Sequence, residues 1–170
     1  MHWIGATLND NHSRRHKVGW IIIFFCGFFA ALNGLISYGS SLLSILDHAR
    51  PWKTGAGMTT LALQQLTQWS PELGPYWVLV NMVAWVNLTF TGIILASAAW
   101  FGVRKGHKLG WWCAFLVWAW VGLNDSVSVI SVYRMTGNFI PTAPIPSTLG
   151  AIGLILTYPA VFRRGSKSLE

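Results

Sequence analysis

Four long apolar runs, separated by short stretches rich in charge, proline or glycine, set the pattern of this chain. They occupy about 18–46, 77–103, 111–132 and 145–162. At about 1.5 Å per residue, a helix needs ~20 apolar residues to cross ~30 Å of hydrocarbon. Three runs exceed that length and the fourth approaches it, which predicts four transmembrane helices. The fourth run is entered through Pro141, Pro144 and Pro146, which suit a helix start and its lead-in because a missing N–H costs little there. The first run follows Arg14, Arg15 and Lys17, as the core of a signal peptide would. Its apolar stretch is too long for one and no small-x-small cleavage site follows, so it reads as a retained helix.

Between the first two runs lies the longest loop, 47–76. Within it Met58, Ala62, Leu66, Trp69 and Leu73 recur at helical spacing, with Gln64, Gln65 and Gln68 on other faces. This pattern predicts a short amphipathic helix over 58–69, lying at the membrane interface as a prop or a lid. Ser70-Pro71 and Gly74-Pro75 are expected to end it. The remaining connections, 104–110 and 133–144, are short, and no repeat relates the two halves of the chain. The fold class is therefore all-α: a polytopic integral membrane protein, one four-helix domain across 1–170.

Composition agrees with that pattern. Of 170 residues 53% are hydrophobic and 10% charged, against about 25% charged in soluble domains, so lipid must replace water as the solvent for much of the surface. The net charge of +7 would suit nucleic acid, but the cations cluster at the ends of the apolar runs, so no nucleic-acid partner is expected. Arg14, Arg15 and Lys17 of the tail 1–17, Arg104, Lys105 and Lys108 of the second loop, and Arg163, Arg164 and Lys167 of the tail 163–170 make nine cations on one side. Arg50, Lys53 and Arg134 make three on the other. The positive-inside rule then places both termini in the cytoplasm and the 47–76 and 133–144 loops outside, in a plasma or cell membrane. The sequons at Asn11, Asn87 and Asn124 fall in a cytoplasmic tail or within helices, so they are chance matches.

Chemistry has few places to reside. Cys26 and Cys113 lie inside apolar runs without Cys-x-x-Cys or metal-ligand spacing and read as small packing residues. In the first helix Gly27, Ala30, Gly34, Ser37, Ser41, Ser44 and His48 recur at steps of three and four, a small-residue seam that admits a close neighbour. Gly150, Gly153, Thr157 and Ala160 form a matching face in the fourth helix. Many of the eleven tryptophans, among them Trp20, Trp69, Trp77, Trp100, Trp111 and Trp112, fall where an interfacial aromatic belt is expected, whereas Trp85, Trp118 and Trp120 lie deeper and read mainly as packing.

The one acid inside a span is Asp125, and an unpaired charge there would cost at least ~2.5–3.5 kcal/mol. Asn124 and Ser128 lie beside it; the second helix adds Asn81 near its outer end and Asn87 near its middle, the first adds Ser37, Ser41, Ser44 and His48, and most of these groups share the outer half of the membrane. Apolar residues such as Ile21–Phe25 fill the inner part. The expectation is a polar pocket around Asp125, open to the outside, with helix-register fixing by Asp125 as the plain structural alternative. No histidine lies within a span, no second intramembrane acid and no intramembrane lysine is present, and no hydrolase or metalloprotease motif occurs, so neither cofactor nor metal is expected.

The functional expectation is an accessory or interaction subunit without catalytic activity of its own, with the bilayer and a membrane protein or a second copy of the chain as partners. Two alternatives stay open. One is a binder or carrier of a small apolar or amphipathic molecule in the Asp125 pocket; the other is an intramembrane enzyme using Asp125 and His48 as acid and base.

Overall fold

The computed structural model describes residues 3–47, 63–137 and 144–162; within these, nothing is described of the side chains of 3–12, Ser44, Leu63, Asp125, Val132, Met135 and Thr136. Among the described residues every element is helical: α1 (Trp3–Leu46), α2 (Leu63–Trp69), α3 (Leu73–Ser97), α4 (Lys108–Thr136) and α5 (Pro144–Phe162). Four stretches are long and apolar enough to cross a membrane, at Ser13–Leu43, Leu73–Lys105, Lys108–Ser131 and Pro144–Phe162. This all-helical outcome follows from the solvent, since hydrocarbon offers no partner to an open backbone N–H or C=O.

The helix ends depart from the pattern in instructive ways. α1 runs back through the basic tail to Trp3, well before the apolar run begins. α3 starts at Leu73, so Gly74-Pro75 lies in its first turn rather than ending the preceding pattern. A proline in the first turn loses no hydrogen bond, which is why it opens this helix. The loop helix is described as Leu63–Trp69, with Leu66 buried and Gln64, Gln65, Gln68 and Trp69 exposed; 58–62 lies outside the described residues. In α5, Pro144 and Pro146 sit in the first turn as expected, and Pro159 lies near the other end of the helix.

Two compact units are distinguished, Met1–Phe28 with Ile93–Glu170, and Phe29–Gly92, and each is described by itself. The first has a core of Ile23, Leu95, Ala99, Val103, Trp111, Ala114, Leu154 and Val161, against which Trp20, Phe24, Phe115 and Trp118 pack. Here α3 passes into a π-helical turn, Ala98–Gly102, then a 3-10 turn, Val103–Lys105. Gly106 at φ 75° reverses the chain, a conformation that suits glycine because it has no Cβ. The two arms then touch backbone to backbone: a Cβ built on Gly102 would lie 2.5 Å from Cα of Gly110.

α1 meets α5 in the same unit through an equally close approach. A Cβ on Gly19 would lie 2.7 Å from Cγ2 of Thr157 and 2.8 Å from the Gly153 carbonyl oxygen, and one on Gly153 would lie 2.7 Å from Cγ1 of Ile23. Gly150, Gly153, Thr157 and Ala160 are all buried, as the small-residue face of α5 predicts. In the second unit, Gly34 of α1 faces α3, where a Cβ would lie 2.7 Å from the Thr89 nitrogen and 2.8 Å from the Trp85 carbonyl oxygen. Along the predicted α1 seam Gly27, Gly34, Ser37 and Ser41 are buried.

Because backbone cannot yield as a side-chain tip can, Gly110→Ala is expected to lower stability by about 1–3 kcal/mol. Gly39→Ala, where a Cβ meets nothing within 4 Å, is expected to be neutral or to stabilise. Thermal unfolding of the two variants in the same detergent checks the contrast.

Candidate functional site

The polar side chains of the spans divide by how their hydrogen bonds are made. In the second unit Ser37, Ser41 and Asn81 are buried, with 9%, 1% and 9% of their surface exposed. Ser41 Oγ donates to the Ser37 carbonyl at 2.9 Å and Asn81 Nδ2 to the Trp77 carbonyl at 2.9 Å. Thr89 Oγ1 donates to the Trp85 carbonyl at 2.8 Å, and Thr91 Oγ1 to that of Asn87. Each bond returns to the preceding turn of its own helix, a habit of Ser and Thr that satisfies the hydroxyl without a neighbour. The seam can therefore pack as small residues while its hydroxyl protons are already in use.

On α4 the same habit recurs on an exposed face. Asn124 Nδ2 donates to the Trp120 carbonyl at 2.7 Å, Ser128 Oγ to that of Asn124 at 2.9 Å, and Ser131 Oγ to that of Val127 at 2.9 Å. Thus Ser37, Ser41 and Asn81 fall within one unit, where Asn87 is exposed, while Asn124 and Ser128 belong to the other. Asp125 lies on α4 and Ser44 on α1, but their side chains are outside the described residues, as is His48 altogether.

A second arrangement was not foreseen. Between α4 and α5 an open groove of about 480 Å³ is lined by Trp111, Phe115, Trp118, Leu154, Ile155 and Tyr158, with Ala151 and Pro159. Trp111, expected in the interfacial belt, is instead 7% exposed and anchored to α5. Its Nε1 lies 3.2 Å from both the Leu154 carbonyl and Thr157 Oγ1. Trp118 Nε1 donates to the Ser147 carbonyl at 2.7 Å. With both indole N–H groups turned to α5, the groove keeps the apolar part of each ring. The Trp111 and Phe115 rings stack with centroids 5.5 Å apart and planes at 5°. Among the lining residues only the Tyr158 phenol can ionise, so the groove suits an apolar occupant and lacks an acid–base pair.

The α3–α4 turn is held by a separate cluster. The Arg104 guanidinium carbon lies 4.5 Å from the Trp100 ring centroid and 5.6 Å from that of Trp20, and the two indoles meet edge to face at 5.8 Å. His16 Nε2 is 3.2 Å from the Arg104 carbonyl oxygen. These contacts tie the tail-side turns of α1 to the basic loop through a cation held over aromatic faces. Cys26 and Cys113 are free thiols, and Cys26 Sγ lies 3.7 Å from the Pro146 carbonyl oxygen. Among the described residues no group of three or more His, Cys, Asp or Glu could hold a metal ion.

Gly19, Gly102 and Gly110 escaped the sequence reading. For Gly19 a signal was present, because it lies four residues before Ile23 and continues the α1 seam backwards. For the other two the signal is absent, because only the turn between the helices brings them together. Comparison with protein-family models, curated protein sequences and solved structures finds no match to this chain.

Trp118→Phe removes both the donor to the Ser147 carbonyl and one of the two fused rings, so a loss of at least about 0.5–1.5 kcal/mol is expected in detergent unfolding. Arg104→Gln is expected to cost about 0.5–2 kcal/mol through the lost cation–π contacts, read by thermal unfolding in the same detergent.

Proposed function

We propose that this chain is a non-catalytic accessory or interaction subunit of a membrane assembly, crossing a cell membrane four times with both termini in the cytoplasm. The observation that carries this reading is the exposure of Asn33 and Asn87, two amides placed near the middle of their spans. Lipid tails offer an amide no hydrogen bond, and leaving a polar group unpaired in an apolar medium costs several kcal/mol. Across a helix–helix interface the same amide becomes an adhesive group. The orientation rests on the nine cations of one side against the three of the other. α2 fits a prop at the outer interface, with Leu66 turned inward and its glutamines and Trp69 exposed.

Purification from native membranes in mild detergent is expected to recover the tagged chain in a complex with another membrane protein or with itself. Asn33→Leu and Asn87→Leu should each weaken that complex about threefold to thirtyfold, the worth of about 0.6–2 kcal/mol per interhelical hydrogen bond, without lowering the melting temperature of the free chain. A strictly monomeric chain would overturn the subunit reading. A reporter that matures only in the cytoplasm should be active when fused at Glu170, and an inactive fusion would reverse the orientation.

A further inference from the structure

We infer that the α4–α5 groove is a binding site for an anionic phospholipid, one acyl chain lying along the aromatic floor and the phosphate meeting Lys108. The floor extends about 10 Å along α4 from Trp111 to Trp118, on the 1.5 Å rise of a helix. Its volume of about 480 Å³ lies within the ~300–1,000 Å³ of small-molecule sites. The groove opens sideways: Ile155 is 69% exposed and Tyr158 46%. In a spanning helix such residues face the acyl region of the bilayer.

The indole N–H groups of the floor are spent on α5, which leaves the Tyr158 hydroxyl and no charged group along the groove. Selection must come from the end of the groove beside Lys108. Lys108 Nζ lies 5.9 Å from the Phe162 ring centroid. That ring in turn stacks on Tyr158 at 4.8 Å and meets Trp111 edge to face at 5.3 Å, both of them groove residues. In sequence Arg163-Arg164 follows Phe162 directly. An apolar trough with a positive end complements an acyl chain with a negative head. A partner helix fits less well, because close helix packing needs small residues and this surface is built from Trp, Phe, Tyr, Leu and Ile.

The assignment to the cytoplasmic leaflet rests on the orientation proposed above; binding itself does not. The full chain in mild detergent is titrated with dioleoyl phosphatidylglycerol or dioleoyl phosphatidylcholine, and bound lipid is read by native mass spectrometry and by the rise in melting temperature. Phosphatidylglycerol is expected to bind more tightly and to stabilise more. Ile155→Trp, on an exposed position, fills the trough and should lower bound phosphatidylglycerol at least tenfold. Lys108→Gln, also exposed, should keep the acyl chain but reduce the preference for phosphatidylglycerol about fivefold, the worth of one lysine at an anionic surface. Equal binding of the two lipids, full retention by Ile155→Trp, or a preference unchanged in Lys108→Gln would each overturn the proposal. An inactive cytoplasmic reporter at Glu170 would move the site to the other leaflet and leave these binding results standing.

Discussion

Close approach of backbones at glycine is the interaction on which the described packing depends. In water, apolar faces would drive helices together; in hydrocarbon a leucine gains little by leaving lipid for protein, so association falls to dispersion at short range and to hydrogen bonds. Gly19 against Gly153 and Thr157, Gly34 against Trp85 and Thr89, and Gly102 against Gly110 supply that range. Around each of them the larger side chains can interlock. The apolar core of Ile23, Val103, Trp111 and Leu154 is organised about these contacts in the first unit, with Ala99 and Ala114 as small fillers.

Hydrogen bonding divides the polar residues into two populations with different consequences. The Ser and Thr hydroxyls return to their own helices, so they place polar atoms in the spans without demanding a partner. Amides have more capacity than one backward bond uses: the Asn124 Nδ2 bond to Trp120 leaves its carbonyl oxygen still able to accept. Exposed within a span, as Asn33 and Asn87 are, such groups favour a protein neighbour over lipid. This is the physical content of the proposed subunit reading.

The tryptophans connect packing with lipid. Trp111 and Trp118 use their N–H groups to fasten α4 to α5, and by doing so leave a surface that is aromatic and dry. At the α3–α4 turn, Trp20 and Trp100 take the Arg104 cation on their faces. One residue type thus serves as inter-helix anchor, groove floor and charge support, according to what its ring edge and ring face each meet.

Much of this was legible in the residues alone. Run length and hydropathy suffice for four helices long and apolar enough to span a membrane, because a bilayer imposes a length and forbids unpaired backbone. The small-residue seams were readable because a helix places residues three and four apart on one face, and Gly34, Ser37, Ser41, Gly150, Gly153 and Thr157 are buried accordingly. Other features had no local signature. Nothing near Trp111 distinguishes a belt residue from an anchor; that depends on Leu154 and Thr157, more than forty positions away. The Gly102–Gly110 contact exists only because Gly106 reverses the chain, and the groove only because two helices leave a gap between large rings. Sequence by itself determined which segments are helical and apolar, since those properties follow from neighbouring residues and the solvent. Tertiary structure decided which faces meet, because that depends on the combined shape of segments far apart in the chain.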